Sequence, residues 1–85
     1  MAPDLEKAEI MFKLARKENW GAKYDRTEHF KRFQYLHESL KELSKKRWIL
    51  IHHKGKFTGI SLNPRFAGEI KEFIITYMPH VRGMV

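Results

Sequence analysis

The chain of 85 residues has no cysteine, only five glycines and three prolines, and no apolar run that approaches the span of a bilayer. Without cysteine there is no disulfide frame, no thiolate metal site and no cysteine nucleophile, and a reducing, cytoplasmic setting is expected. A membrane-spanning helix needs about 20 apolar residues, and the opening MAPDLEKAEI lacks the basic-then-apolar order of a signal peptide. No membrane partner is therefore expected. There is no glycine-rich phosphate loop and no nucleophile–base–acid constellation, so neither catalysis, a cofactor nor a small-molecule substrate is expected. The histidines do not supply a metal site either. His52 and His53 are neighbours on an expected strand and point to opposite faces, and His29 and His37 lack the i, i+4 spacing of a helical ligand pair.

What is present is positive charge, unevenly placed. Residues 1–30 carry six basic and six acidic side chains, and residues 57–85 carry three and two. Residues 31–56 carry eight basic and two acidic ones, so six of the seven net charges lie in less than a third of the chain. Such a concentration is the footprint of a protein that docks on a polyanion. With 42% hydrophobic and 32% charged residues, the chain is expected to fold as one small domain, not to form a disordered basic tail.

In chain order, the first helix is predicted from Pro3 or Asp4 to about Asn19, stopped by a left-handed Gly21. Leu5, Ala8, Met11, Phe12 and Ala15 form its inward stripe, with Ile10 and Leu14 on the opposite flank. A helix apolar on two sides is sandwiched, by another helix or by a second subunit. Residues 22–24 suit a short extended segment, and Asp25-Arg26-Thr27-Glu28 fits a capping box starting a helix at Arg26. Phe30, Phe33, Leu36, Leu40 and Leu43 then recur either along one long helix or along a short one followed by a longer one from Arg32 to Lys46. The sequence does not choose between the two.

Trp48–His53 and Phe57–Leu62 read as a hairpin about a Lys54-Gly55 turn, which sets Ile49 opposite Ile60 and Ile51 opposite Thr58. Ile49, Ile51, Ile60 and Leu62 share the core face, and Trp48, Leu50 and Phe57 share the other. Asn63-Pro64 opens a closing helix whose stripe is Phe66, Ile70, Phe73, Ile74 and Tyr77, with residues 80–85 as a loose tail.

Leu36-x3-Leu40-x2-Leu43-x4-Trp48-Ile49, then His52-His53-Lys54-Gly55-Lys56, then Ile60-Ser61-Leu62-Asn63-Pro64 resemble, in that order, three parts of a winged helix-turn-helix domain. These are the recognition helix, the basic wing, and the second wing strand entering the last helix of small archaeal and bacterial transcription regulators. The resemblance covers about residues 4–78 and implies an α+β fold: three helices, a two-stranded wing and a C-terminal helix. The family often carries glycine before the first wing strand, where this chain has Arg47.

The resemblance implies sequence-specific binding of double-stranded DNA and transcription regulation. The 32–46 helix would lie in the major groove and the 52–56 wing on the backbone or minor groove. Gln34, Tyr35 and Glu38 are the candidates for reading base edges. Lys31, Arg32, Lys41, Lys45, Lys46 and Arg47 are candidates for holding phosphates, as are His53, Lys54 and Lys56 at the wing. Pairing into a homodimer through the first and last helices is expected. Two alternatives stand beside this reading. One is a protein-interaction module within a transcription or replication assembly. The other is a non-specific nucleic-acid binder with Trp20, Tyr35 or Trp48 as stacking platforms.

Overall fold

The structure is a computed structural model and describes residues 2–85. It is an α+β arrangement of three α-helices and one three-stranded antiparallel sheet, α1 (Asp4–Arg16), β1 (Asp25–Arg26), α2 (Leu36–Lys45), β2 (Ile49–His53), β3 (Thr58–Leu62) and α3 (Ala67–Tyr77). The strands lie in the order β1-β3-β2. Among the described residues no helix is long and apolar enough to cross a membrane.

α1 begins with Pro3 in extended backbone and with Asp4 and Glu6 in its first turn, where carboxylates meet the positive end of the helix dipole. It ends three residues earlier than expected. Glu18, at φ 56°, makes the left-handed stop, with its N–H on the Ala15 carbonyl (3.0 Å) and the Asn19 N–H on that of Leu14 (2.9 Å). Gly21 serves the next turn instead, donating to the Leu62 carbonyl (2.9 Å) and pinning the loop to the end of β3. The helix is also rotated from the expected stripe. Ile10 and Leu14 are fully buried with Ala8 and Met11, while Leu5 is 50% exposed. α1 packs against α3, α2 and β3, so its second apolar flank is covered within the chain.

The first strand lies at Asp25–Arg26, just beyond the expected 22–24, and pairs with β3. No capping box forms. The Asp25 carboxylate accepts from the Arg26 N–H (2.9 Å) and meets His29 Nδ1 (2.6 Å), and Thr27–Phe30 is a single 3-10 turn, not an α-helix. The chain therefore breaks between Phe30 and Leu36. Two i→i+3 bonds, Phe33 to Phe30 (3.1 Å) and Leu36 to Phe33 (3.2 Å), carry it across. Tight turns align residues three apart, and here they bring the Phe30 and Phe33 rings into a stack (6.2 Å) with both side chains buried.

In the hairpin Ile49 stands opposite Leu62 and Ile51 opposite Ile60, two residues from the expected register. The turn residues are Gly55-Lys56, closed by Lys54 and Phe57, whose N–H groups donate to each other's carbonyls (3.0 and 3.3 Å). Because side chains alternate with period two, this shift keeps Ile49, Ile51, Ile60 and Leu62 on one face, but only Ile49, Ile60 and Leu62 enter the core, and Ile51 is left 37% exposed. On the outer face the Tyr24 ring covers Gly59, stacks on His52 (5.0 Å) and leans on Phe57 (5.9 Å). Trp48 meets Phe73 of α3 edge-on (5.4 Å).

Asn63 caps the last helical stretch as expected, its Oδ1 accepting from the Arg65 N–H (3.1 Å). Ile70 and Ile74 are buried, but Tyr77 stays exposed, with its hydroxyl on Asp4 Oδ2 (3.0 Å). The expected loose tail is partly anchored: Pro79–Val81 forms a 3-10 turn and Val81 sits in the core.

Candidate nucleic-acid interface

α2 presents Ser39 and Leu43 to the interior and His37, Glu38, Lys41 and Lys45 to solvent. Its N-terminus has no cap from its own side chains. Glu6 of α1 supplies one, accepting from the Tyr35 N–H (3.2 Å) and the Ser39 hydroxyl (2.8 Å). A second tie runs from the buried Lys7 ammonium to Glu42, whose other oxygen accepts from the Ala2 N–H (3.0 Å). Hydrogen bonds from Lys7 and Ala2 hold the Glu42 carboxyl below its ordinary value. Burial pushes Lys7 down, but its bonds to Glu42 and Asp4 outweigh that and raise it. Glu42 is thereby balanced from α1, which leaves the field of Lys41 and Lys45 less opposed than the sequence suggests.

At its far end α2 stops on Arg47, which holds φ 62°, the left-handed conformation that glycine adopts most easily. The Trp48 N–H reaches back to the Leu43 carbonyl (3.1 Å), and β2 starts at the next residue. The result is a cleft of about 590 Å³ between helix and hairpin. Leu36, Leu40 and Ile51 give it an apolar floor, and His37, Lys41, Lys45 and His53 stand around it.

All twelve expected contact residues are exposed, but they do not share one surface. Lys41, Lys45 and His53 meet at the cleft. Glu38 shares a shallow depression with Lys41, Glu42 and Lys45. Lys31 and Gln34 lie in the turns before α2, and Tyr35 sits at its N-terminus, 40% exposed. Arg32 lies over the Phe33 ring (4.5 Å) and faces a different groove, beside Lys13, Arg16 and Lys17. Lys46 covers Trp48 (4.6 Å) toward α3, and Lys54 lies over Tyr24 (5.4 Å) on the outer side of the hairpin. Lys56 occupies the turn. Of the rings considered for stacking, Trp48 is engaged by Phe73 and Lys46, and Trp20 has the Lys71 ammonium over its ring (6.0 Å).

His37 was not among the expected contacts, although His37, Lys41 and Lys45 follow one another at i, i+4 and i+8 along a single helix line. Among the described residues no three His, Cys, Asp or Glu side chains gather as metal ligands. Compared with family models, curated proteins and solved structures, the chain matches none.

Proposed function

We propose that the chain is a winged-helix domain that binds duplex DNA sequence-specifically as a transcription regulator, with α2 in the major groove and the hairpin beside it on the backbone or minor groove. The observation that carries this reading is the cleft. The chain order and the β1-β3-β2 sheet put a ten-residue helix next to a hairpin, with Lys41, Lys45, His37 and His53 converging between them. The major groove, about 12 Å wide, accepts a helix of this size. In this pose Tyr35 and Glu38 lie at the N-terminal end of α2, the end that reads base edges in helix-turn-helix proteins, with Gln34 in the turn just before it. Lys41 and Lys45 on the helix and Lys56 at the hairpin turn hold phosphates, and Lys54 reaches the backbone from the hairpin's outer side. Leu5 and Tyr77, exposed on the first and last helices, support pairing of two copies there, which would present two such helices.

A protein-interaction role is favoured by one observation, the apolar cleft floor in which Ile51 is 37% exposed. Selection from a random duplex library separates the two readings. A regulator enriches a defined motif and prefers it over random duplex by about a thousandfold or more. Recovery of unselected sequence contradicts the proposal.

A further inference from the structure

A second depression, of about 550 Å³, lies beside the C-terminal half of α1 and shares no lining residue with the α2–hairpin cleft. Phe12 and Met78 line it with apolar surface. Lys13 and Arg16 from α1, Lys17 just past its end and Arg32 from the turn before α2 stand around it, and Glu9 is the one acid among its described lining residues. We propose that this groove docks an acidic peptide segment bearing bulky apolar side chains, contributed by a partner protein. The proposal does not depend on the duplex-binding reading.

Charge and shape both support this occupant. Three of the cations are already laid against rings: Lys13 over Phe30 (4.4 Å), Arg16 over Phe12 (5.8 Å) and Arg32 over Phe33 (4.5 Å). Side chains held in this way lose little freedom when a ligand arrives. Burial, with repulsion from Lys17 and Arg32, outweighs the pull of Asp25 and lowers the Lys13 ammonium from its ordinary value. Lys17 is partly answered by Asp25 (3.1 Å), which also acts on Lys13, and the Lys13 ammonium donates to the His29 carbonyl; Arg16 and Arg32 share the groove with Glu9 as its one acid among the described lining residues. An anionic partner relieves that repulsion. The floor selects among anions. A phosphodiester backbone offers nothing apolar to Phe12 and Met78, whereas a leucine or phenylalanine between carboxylates buries against them while its neighbours meet the rim.

Fluorescence anisotropy on the full chain tests the proposal. The probe is a fluorescein-labelled peptide of repeated Asp-Glu-Leu-Phe units. It is compared with the same peptide carrying Ser for Leu and Phe, and with a labelled oligothymidylate. Replacing the apolar residues is expected to weaken binding about tenfold, as is the double variant Arg16→Glu/Arg32→Glu at two exposed positions. Glu9→Lys, which adds a cation to the rim, is expected to tighten it about threefold. Equal affinity for the serine peptide overturns the proposal, as does a double variant or a Glu9→Lys chain that binds like the parent. Competition by the oligothymidylate, lost in the double variant, reassigns the groove to nucleic acid. Self-association abolished by Arg16→Glu/Arg32→Glu, with no peptide binding, reassigns it to a second copy of the chain.

Discussion

The Arg47 carbonyl accepts a hydrogen bond from Asn63 Nδ2 (2.8 Å), so the hinge between α2 and the hairpin is tied to the residue that starts the last helical stretch. The Asn63 N–H adds a second bond, to the Trp48 carbonyl (2.8 Å). Together these contacts hold the angle between helix and hairpin, and hence the width of the cleft.

Arg47 itself sits in left-handed backbone, φ 62°. Arg47→Gly is expected to stabilise the fold by about 0.5–1 kcal/mol, because relief of the left-handed conformation outweighs the added freedom of the unfolded chain. Arg47→Val is expected to destabilise it by more than about 1 kcal/mol, since a β-branched residue tolerates this conformation worst. Urea midpoints of the two variants check the order. Asn63→Ala, which removes both the cap and the hinge bond, is expected to cost about 1–2 kcal/mol.

Glu6 caps α2 from another helix. Glu6→Ala leaves the Tyr35 N–H and the Ser39 hydroxyl without that acceptor and is expected to cost about 1–2 kcal/mol. In a double-mutant cycle with Ser39→Ala the two effects are expected to couple by about 0.5–1.5 kcal/mol. Simple additivity would mean that the Glu6–Ser39 bond contributes nothing.

Gly59 carries the weight of a ring. A Cβ there would stand 2.4 Å from Tyr24 Cδ1 and 2.9 Å from Cγ, too close for any rotamer that keeps Tyr24 on His52. Gly59→Ala is expected to lower stability by about 1–3 kcal/mol. In a Tyr24→Ala background the same change is expected to cost little, which thermal unfolding of the four chains resolves.

Asp25 links stability to acid. Burial pushes its carboxyl up, but the contacts with His29, Lys17 and the Arg26 N–H outweigh that and set it below its ordinary value of 3.8. A carboxyl lowered by folding adds stability that is present above the ordinary value and is lost as pH falls through the lowered one. The parent chain is therefore expected to lose stability below about pH 4. Asp25→Asn is expected to be less stable at neutral pH and to show a flatter acid limb in denaturant midpoints measured against pH.

The features legible in the sequence were those carried by local chemistry. Asn63-Pro64 announces its helical stretch through a capping side chain and a preset φ, and the hairpin follows from two β-rich runs around a glycine turn. The register was not legible, because any even slip leaves Ile49, Ile51, Ile60 and Leu62 on the same face. The rotation of α1 was hidden because both flanks are apolar. The choice falls to partners distant in sequence, among them Glu42, which makes it possible to bury Lys7. The helix stops at Glu18 and Arg47 were hidden because neither residue favours left-handed backbone. For the site, the charge excess over 31–56 pointed to α2 and the hairpin, yet neighbours in sequence diverge in space, with Arg32, Lys46 and Lys54 facing three different surroundings. The second basic groove escaped notice because residues 1–30 are neutral in sum. Asp4 and Glu6, which balance that count, are spent on Lys7, Tyr77, Tyr35 and Ser39.

The most direct measurement is the salt dependence of affinity for a selected duplex. If Lys41, Lys45 and the hairpin lysines lie along the phosphates, log affinity falls against log salt with a slope of about −4 to −5, for about five neutralised phosphates. Changing Lys41, Lys45, Lys54 and Lys56 together to Glu then flattens the slope and removes most of the binding. An affinity indifferent to salt, or a fourfold variant that binds as the parent does, contradicts the account.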